Sequence, residues 1–186
     1  MNPKNHRYTV FQTIGGFCVI AWNDAGISRF HLATKTAQAS ERNLLRHIPD
    51  ATIGDPPPDV VEAIRVVRRY YEGEAVDFSH LKIDLDDHDA LFRQIYEAVR
   101  QIRWGQTTTY GALATALGKE RQAARDVGQA MARNSIPLII PCHRVLAAGG
   151  KIGGFSAPGG SATKARMLEL EGVQLGLDDA QNSFGF

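Results

Sequence analysis

Three stretches near the start, Tyr8 to Ile14, Phe17 to Trp22 and Ile27 to Ala33, alternate apolar and polar residues in part. Side chains on a strand point to alternate faces, so this spacing predicts strands with one buried side. Gly15-Gly16 and Asn23-Asp24-Ala25-Gly26 interrupt them, which reads as a β-meander. A helix is expected over Ser40 to Ile48, with Ser40 as its N-cap. Asp55-Pro56-Pro57-Pro58 is a loop, and the helical spacing of Val60, Ile64, Val67 and Tyr71 predicts a helix from Asp59 that ends at Gly73. Phe78 to Leu85 reads as a returning edge strand. The polar run Asp84 to Asp89 then marks a boundary between two halves.

Beyond that boundary the pattern turns helical. Phe92, Ile95, Val99 and Ile102 form one apolar stripe, so Asp89 to Arg103 is an amphipathic helix with Asp89 as cap. Tyr110 to Leu117 and about Glu120 to Arg133 are two further helices joined at Gly118, the spacing of a helix-turn-helix. Asn134 ends the second of them. Leu138 to Ile140, held between Pro137 and Pro141, reads as a short buried strand, because proline stops a helix running through. Ala147 to Gly160 contains six glycines and is a loop; Ser161 to Glu171 forms a last helix, closed by Gly172. The expected class is α+β: an N-terminal domain over 1–87, a mainly helical domain over 88–175, and a tail over 176–186.

Composition narrows this picture little. At 186 residues the chain can bury a full core. Cys18 and Cys142 form no framework of spaced pairs, so a reduced, intracellular setting such as the cytoplasm is expected. No apolar run approaches membrane length. The net charge of +1 hides an asymmetry: residues 1–87 carry 10 Lys+Arg against 12 Asp+Glu, whereas 88–173 carry 11 against 6. Basic charge in the second half points to an anionic partner there.

Chemistry concentrates in Asn134 to Val145, where Cys142 follows a proline and precedes His143 and Arg144. Nearby imidazole or guanidinium favours the nucleophilic thiolate. A cysteine is also among the residues most often buried as a small hydrophobe. The wider string weighs between the two. Tyr110-Gly-Ala-Leu-Ala, Ala123-Ala124-Arg125, Val127 to Met131, Asn134 through Val145, Gly153 to Ser156 and Glu171-Gly172 occur in order over the second half. In this they resemble the O6-alkylguanine-DNA alkyltransferases, DNA-repair proteins that take an alkyl group onto a Pro-Cys-His-Arg cysteine.

That resemblance implies an N-terminal ribonuclease H-like domain and a C-terminal domain with a winged-helix-like helix-turn-helix. It implies a single-turnover methyltransferase acting on double-stranded DNA that carries O6-alkylguanine, with O4-methylthymine as a further substrate. Cys142 would attack the alkyl carbon, His143 would act as base through a water, and Glu171 would orient the imidazole. Asn134 would be the hinge, and Tyr110 would contact the phosphate and help protonate the departing guanine. Arg125 would fill the space of the flipped base, with Tyr110, Gly111, Ala124, Gly128 and Arg121 also on the DNA. Ser156, Met131, Pro137, Val145 and Phe155 would line the pocket. No cofactor, metal or membrane is implied, and a monomer is expected.

Two physical points bear on this. Arg121, Arg125, Gly128 and Ala132 share one polar or small face of the second helix, and small residues allow entry to a minor groove only about 6 Å wide. The same small residues would equally allow tight packing inside the protein. A thioether formed on Cys142 has no easy route back, so each molecule would act once. Arg144 is expected to tie down its turn through backbone carbonyls rather than touch DNA. His143 and Cys142, as neighbours on an extended chain, point apart, which suits a water-bridged relay. Cys18 is read as core, with no zinc. Phe155, Trp104 and Asp126 depart from the family pattern; Asp126 either weakens DNA affinity or pairs with Arg121 or Lys119. A lesion-binding protein without a reactive cysteine, a thiol hydrolase and a transcription regulator are the rivals. Cys142, the helix-turn-helix and the chain length argue against each in turn.

Overall fold

In the computed structural model, residues 4–120 and 123–175 are described. The chain divides into two compact units, one of Met1–Asp87 with Ser135–Ile139 and the other of His88–Asn134 with Ile140–Phe186. Both sheet and helices are present, so the class is α+β.

The first unit is built on the meander that the alternation predicts. Strands β1 (Arg7–Thr13), β2 (Gly16–Asn23) and β3 (Gly26–Thr34) pair antiparallel, and a two-residue strand, β4 (Thr52–Ile53), adds parallel to β1. The order across the sheet is β3-β2-β1-β4. Helix α1 (Ala37–Leu45) begins earlier than expected, capped by Thr36, whose side chain accepts from Ala39 N. Ser40 is therefore no cap; it is buried, and its hydroxyl donates to the Phe17 carbonyl. Helix α2 (Pro58–Tyr71) follows the prolines and buries Val60, Ile64 and Val67, the stripe read from the sequence. Cys18 is fully buried in β2, and burial pushes its thiol up to about 12.

Two expected strands are absent. Over Phe78 to Leu85 only a single parallel bridge forms, Ile27 to Ile83. The Lys82 carbonyl accepts from Ile27 N, and Asp84 N donates to the Ile27 carbonyl, so this segment blunts the β3 edge without extending it. Leu138 to Ile140 is no strand either, because Leu138 takes a left-handed φ of 76° while fully buried. Such a backbone costs a non-glycine residue about 1 kcal/mol or more and persists where its surroundings fix it. Here the Ser135 carbonyl accepts from Phe30 N, anchoring the excursion to β3.

The second unit begins with α3 (Ala90–Arg100), capped by Asp89, which accepts from Phe92 N at 2.8 Å. It ends before Arg103. Strand β5 (Thr108–Thr109) leads into α4 (Tyr110–Ala116), which packs on α5 (Ala124–Ala132). The turn between them passes through Gly118 at φ +68°. Residues 121–122 lie outside the described set, so Arg121 has no described position. Tyr96 of α3 donates its hydroxyl to the Ala130 carbonyl at 2.7 Å, a buried strut beneath α5. A single 3-10 turn spans Cys142–Arg144 and runs into β6 (Val145–Leu146), which pairs parallel with β5. Helix α6 (Gly160–Leu170) closes the unit.

One acid-sensitive point sits in the first unit. His31 on β3 packs its ring 5.4 Å from that of His47 and leaves its buried Nε2 without a hydrogen bond. Burial first, then the charges of Arg29 and His47, hold its pKa down at about 4. The unfolded chain takes up this proton near pH 6.5 and the folded one only near 4, so stability falls as pH drops through that window. After allowance for partial exposure the loss is about 1–2 kcal/mol. Urea unfolding of wild type and His31→Phe at neutral pH and near pH 5 should show a smaller acid loss in the variant; equal losses would place the sensitivity elsewhere.

Candidate active site

The reactive thiol candidate lies on the 3-10 turn between Pro141 and β6. The turn has an identifiable cause. Asn134, at the end of α5, donates its side-chain amide to the Ile140 carbonyl at 2.9 Å, bridging the ends of the 135–139 excursion. The pairing of β5 with β6 then sets Thr109, and hence Tyr110 at the start of α4, beside the strand that leaves the turn.

Glu171 is the centre of the polar network. It is buried at the C-cap of α6, and both of its oxygens are engaged. His143 Nε2 lies 2.6 Å from Oε1. Arg144 donates Nε to Oε2 at 2.8 Å and Nη2 to Oε1 at 3.0 Å. The Gly105 amide adds a longer contact of 3.4 Å to Oε2. Gly105 takes φ +74°, and a Cβ there would stand 3.2 Å from the Glu171 carbonyl, so this approach needs glycine. Burial alone would raise the Glu171 pKa, but the hydrogen bonds and charges of His143 and Arg144 outweigh it and hold it at about 2. An ionised Glu171 accepts, so His143 carries its proton on Nε2. Burial meanwhile holds the imidazole below its ordinary value against the pull of Glu171. The result is a neutral ring with Nδ1 facing away from the carboxylate.

Arg144 does tie down the turn through a backbone carbonyl, donating Nη1 to Ile102 at 2.6 Å. Its pairing with Glu171 was not foreseen. Nor do the side chains of His143 and Arg144 lower the thiol's pKa, as their adjacency in sequence suggested; of the two residues only the backbone of His143 pulls it down. Cys142 is 3 % exposed, and burial pushes its thiol above the ordinary range. A hydrogen bond from the Asn134 side chain and the charge of Lys164 oppose that rise without cancelling it. The premise of an extended Cys142–His143 pair also fails, since the two share a 3-10 turn.

Lys164 is the residue that sequence reasoning missed. It is 1 % exposed on α6, donating Nζ to the Val145 carbonyl at 2.6 Å and, at 3.4 Å, to that of Gly154. The ammonium lies 5.8 Å from the Tyr110 ring centroid. Burial lowers its pKa to about 8, with Cys142 pulling the other way. A signal was present: Lys164 shares a helix face with Met167, Leu168 and Glu171, where a lone lysine amid apolar neighbours is out of place. Tyr110 is half-buried, and burial, then Cys142, raises its phenol, which keeps the hydroxyl a donor.

Of the other expected residues, Met131 and Val145 are buried in this unit, whereas Pro137 belongs with the first. Phe155 is half-buried and Ser156 exposed on the glycine loop. That loop is drawn to the site through Gly154 on Lys164, and a Cβ at Gly153 would stand 3.5 Å from the Tyr110 hydroxyl. On α5, Val127, Ala130 and Met131 face inward while Arg125, Gln129 and Ala132 are exposed. Ala124 and Gly128 flank that outer face, and Gly111 on α4 is half-buried. A Cβ at Gly128 would meet nothing within 4 Å. Internal packing therefore does not require glycine there. Among the described residues no group of three or more His, Cys, Asp or Glu is placed to hold a metal ion.

A buried thiol on the same turn as an imidazole paired with a buried carboxylate, in one unit with a pair of packed helices, makes a candidate cysteine-nucleophile site. Residues 90–173 match the family model described as 6-O-methylguanine DNA methyltransferase, DNA binding domain. The methylated-DNA–protein-cysteine methyltransferase of Sulfolobus acidocaldarius is 33% identical over 168 residues, 90% of this chain and 94% of that protein. The protein of the same name from Metallosphaera sedula is 41% identical over 103 residues, which span 62% of its length. The crystal structure of Mycobacterium tuberculosis OGT in complex with DNA superposes with a TM-score of 0.70 at 28% identity, covering 89% of this chain and 92% of that one. The chain belongs to the methylated-DNA–protein-cysteine methyltransferase family.

Replacing Glu171 by Gln should cost roughly 3–5 kcal/mol, because it leaves the Arg144 guanidinium buried without its counter-charge. Guanidinium chloride unfolding measures this, and Arg144→Met added to Glu171→Gln should recover part of the loss. A loss below 1 kcal/mol would show that the carboxylate is not the anchor drawn here.

Proposed function

We propose that this protein repairs DNA by moving the methyl group of O6-methylguanine, or of a related O6-alkylguanine, onto Cys142, once per molecule. The observation that carries this reading is the His143–Glu171 contact of 2.6 Å within the unit that holds a buried Cys142. The relatives named above carry the name methylated-DNA–protein-cysteine methyltransferase, and one similar structure is a complex with DNA.

The residues act as follows. A neutral thiol is a poor nucleophile, so its proton must leave as the sulfur attacks. It passes through a bound water to Nδ1 of His143, and Glu171 stabilises the imidazolium that forms. The S–C bond forms as the C–O6 bond breaks, and the bonding pair stays on the guanine oxygen. Tyr110 supplies a proton to the departing guanine and regains one from solvent. Lys164, a cation at neutral pH, favours negative charge growing on sulfur. O6 of a stacked guanine is out of a buried thiol's reach, so the base must flip, at a cost of a few kcal/mol.

DNA is met by the outer face of α5. Arg125 is exposed there and takes the place of the flipped base, while Ala124 and Gly128 allow close approach to the minor groove. The open space at Gly128 favours this use over internal packing. Asn134 fixes the turn, and Met131, Val145, Phe155 and Ser156 border the pocket, with Gly111 and Arg121 among the DNA contacts. Residues 88–175 carry both tasks. The protein works as a monomer in the compartment that holds the DNA, which is the cytoplasm in a bacterium. O4-methylthymine is a second substrate.

Incubation with a duplex containing O6-methylguanine should add one methyl group to the peptide bearing Cys142, read by mass spectrometry, and stop at one equivalent. Cys142→Ala should take none while keeping its fold. The single-turnover rate should be level near neutral pH, fall below about 6.5 as His143, whose pKa is depressed, becomes protonated, and decline above about 8 as Lys164 loses its charge. A rate rising about tenfold per pH unit up to pH 9 would instead mean that free thiolate reacts and that the relay is wrong.

A further inference from the structure

The outer face of α5 is not uniform. Arg125 and Gln129, one turn apart, form its exposed ridge. One shoulder of this ridge is small, with Ala124 and Gly128. The other carries Asp126, half-exposed and three residues before Gln129, so that the two side chains neighbour each other on the helix surface. A carboxylate on a face meant for a polyanion repels phosphate unless something on the DNA rewards it. The charge of Asp126 suits the N-terminal end of the α5 dipole, but that use is satisfied without any hydrogen bond to the carboxylate. Asp126 stands in the first turn of α5, yet the helix N-terminus has no side-chain cap. Among the described residues, Lys119 included, nothing forms an ion pair or hydrogen bond with it.

The minor groove offers few hydrogen-bonding groups. An A·T pair presents only the acceptors A N3 and T O2, whereas a G·C pair adds the guanine N2 amino donor. A carboxylate, which only accepts, is repelled by the first and satisfied by the second. Gln129, carrying both amide donors and an oxygen, tolerates either pair. We propose that Asp126 is a specificity-determining residue: its carboxylate accepts from the N2 amino group of a guanine beside the flipped base, so this protein favours lesions flanked by G·C pairs. This rests on the reading that α5 enters the minor groove of lesion-bearing DNA.

The test uses single-turnover methyl transfer to Cys142 at sub-saturating protein. The duplexes carry O6-methylguanine between G·C pairs, between A·T pairs, or between hypoxanthine·C pairs, which lack only the N2 amino group. Wild type should prefer G·C to hypoxanthine·C flanks by roughly fivefold, the scale of one lost base contact. Asp126→Ala should react with both within about twofold, and Asp126→Asn, whose amide oxygen still accepts, should keep part of the preference. Comparing each variant with wild type removes any difference in how easily the flanks let the base flip. The proposal is overturned if wild type ignores the amino group. It is equally overturned if Ala and Asn both raise every rate by one common factor, the mark of a merely repulsive charge. Absence of methyl transfer from any duplex would instead overturn the repair reading itself.

Discussion

The carboxylate of Glu171 is the constraint on which the second unit depends. A buried charge is tolerable only when paired and fully hydrogen-bonded. Its partners come from two places: His143 and Arg144 from the turn that begins at Cys142, and Gly105 from the loop before β5. The end of α6, the reactive turn and that loop must therefore arrive together. Arg144 also reaches back to the Ile102 carbonyl just past α3, so one ionic knot fastens the start of the unit to its end. Burial, with Arg144 supplying the counter-charge to Glu171, leaves the His143 ring neutral.

The same burial that demands this pairing restrains the sulfur. Cys142 is closed off from solvent and its thiol is held protonated by desolvation. A thiolate exposed in a cell is open to oxidation and to stray electrophiles. For the single use proposed above, a thiol that becomes nucleophilic only as its proton leaves is the safer arrangement. Lys164 and Asn134 temper the desolvation without undoing it, so the sulfur is poised yet not ionised.

Much of this was legible in the sequence, and the gaps have physical reasons. Alternation marked β1 to β3, and the apolar stripes marked α2 and α3, because in each case one face meets a core. The Asp89 cap and the Gly118 turn were readable from local chemistry alone. Ser40 was misread as a cap because Thr36, four residues earlier, offers the same chemistry, and only packing chooses between them. The strand expected at Leu138 to Ile140 failed because apolar composition does not reveal a left-handed backbone. Cys142, His143, Glu171 and Tyr110 are brought into one unit, as the motif order implied. Lys164 and the paired hydrogen bonds from Arg144 to Glu171 stayed hidden, since they depend on how α6 and its C-cap meet a turn 19 to 27 residues away. The sign of the thiol's shift was also out of reach: adjacency in sequence suggested activating neighbours, whereas burial decides.

The protonation state of His143 tests this account most directly. Nitrogen-15 NMR of the histidine-labelled protein near pH 7 should show a neutral His143 ring, with its proton on Nε2 toward Glu171 and Nδ1 unprotonated. An imidazolium at that pH, or a proton resting on Nδ1, would contradict the relay and the role given to Glu171.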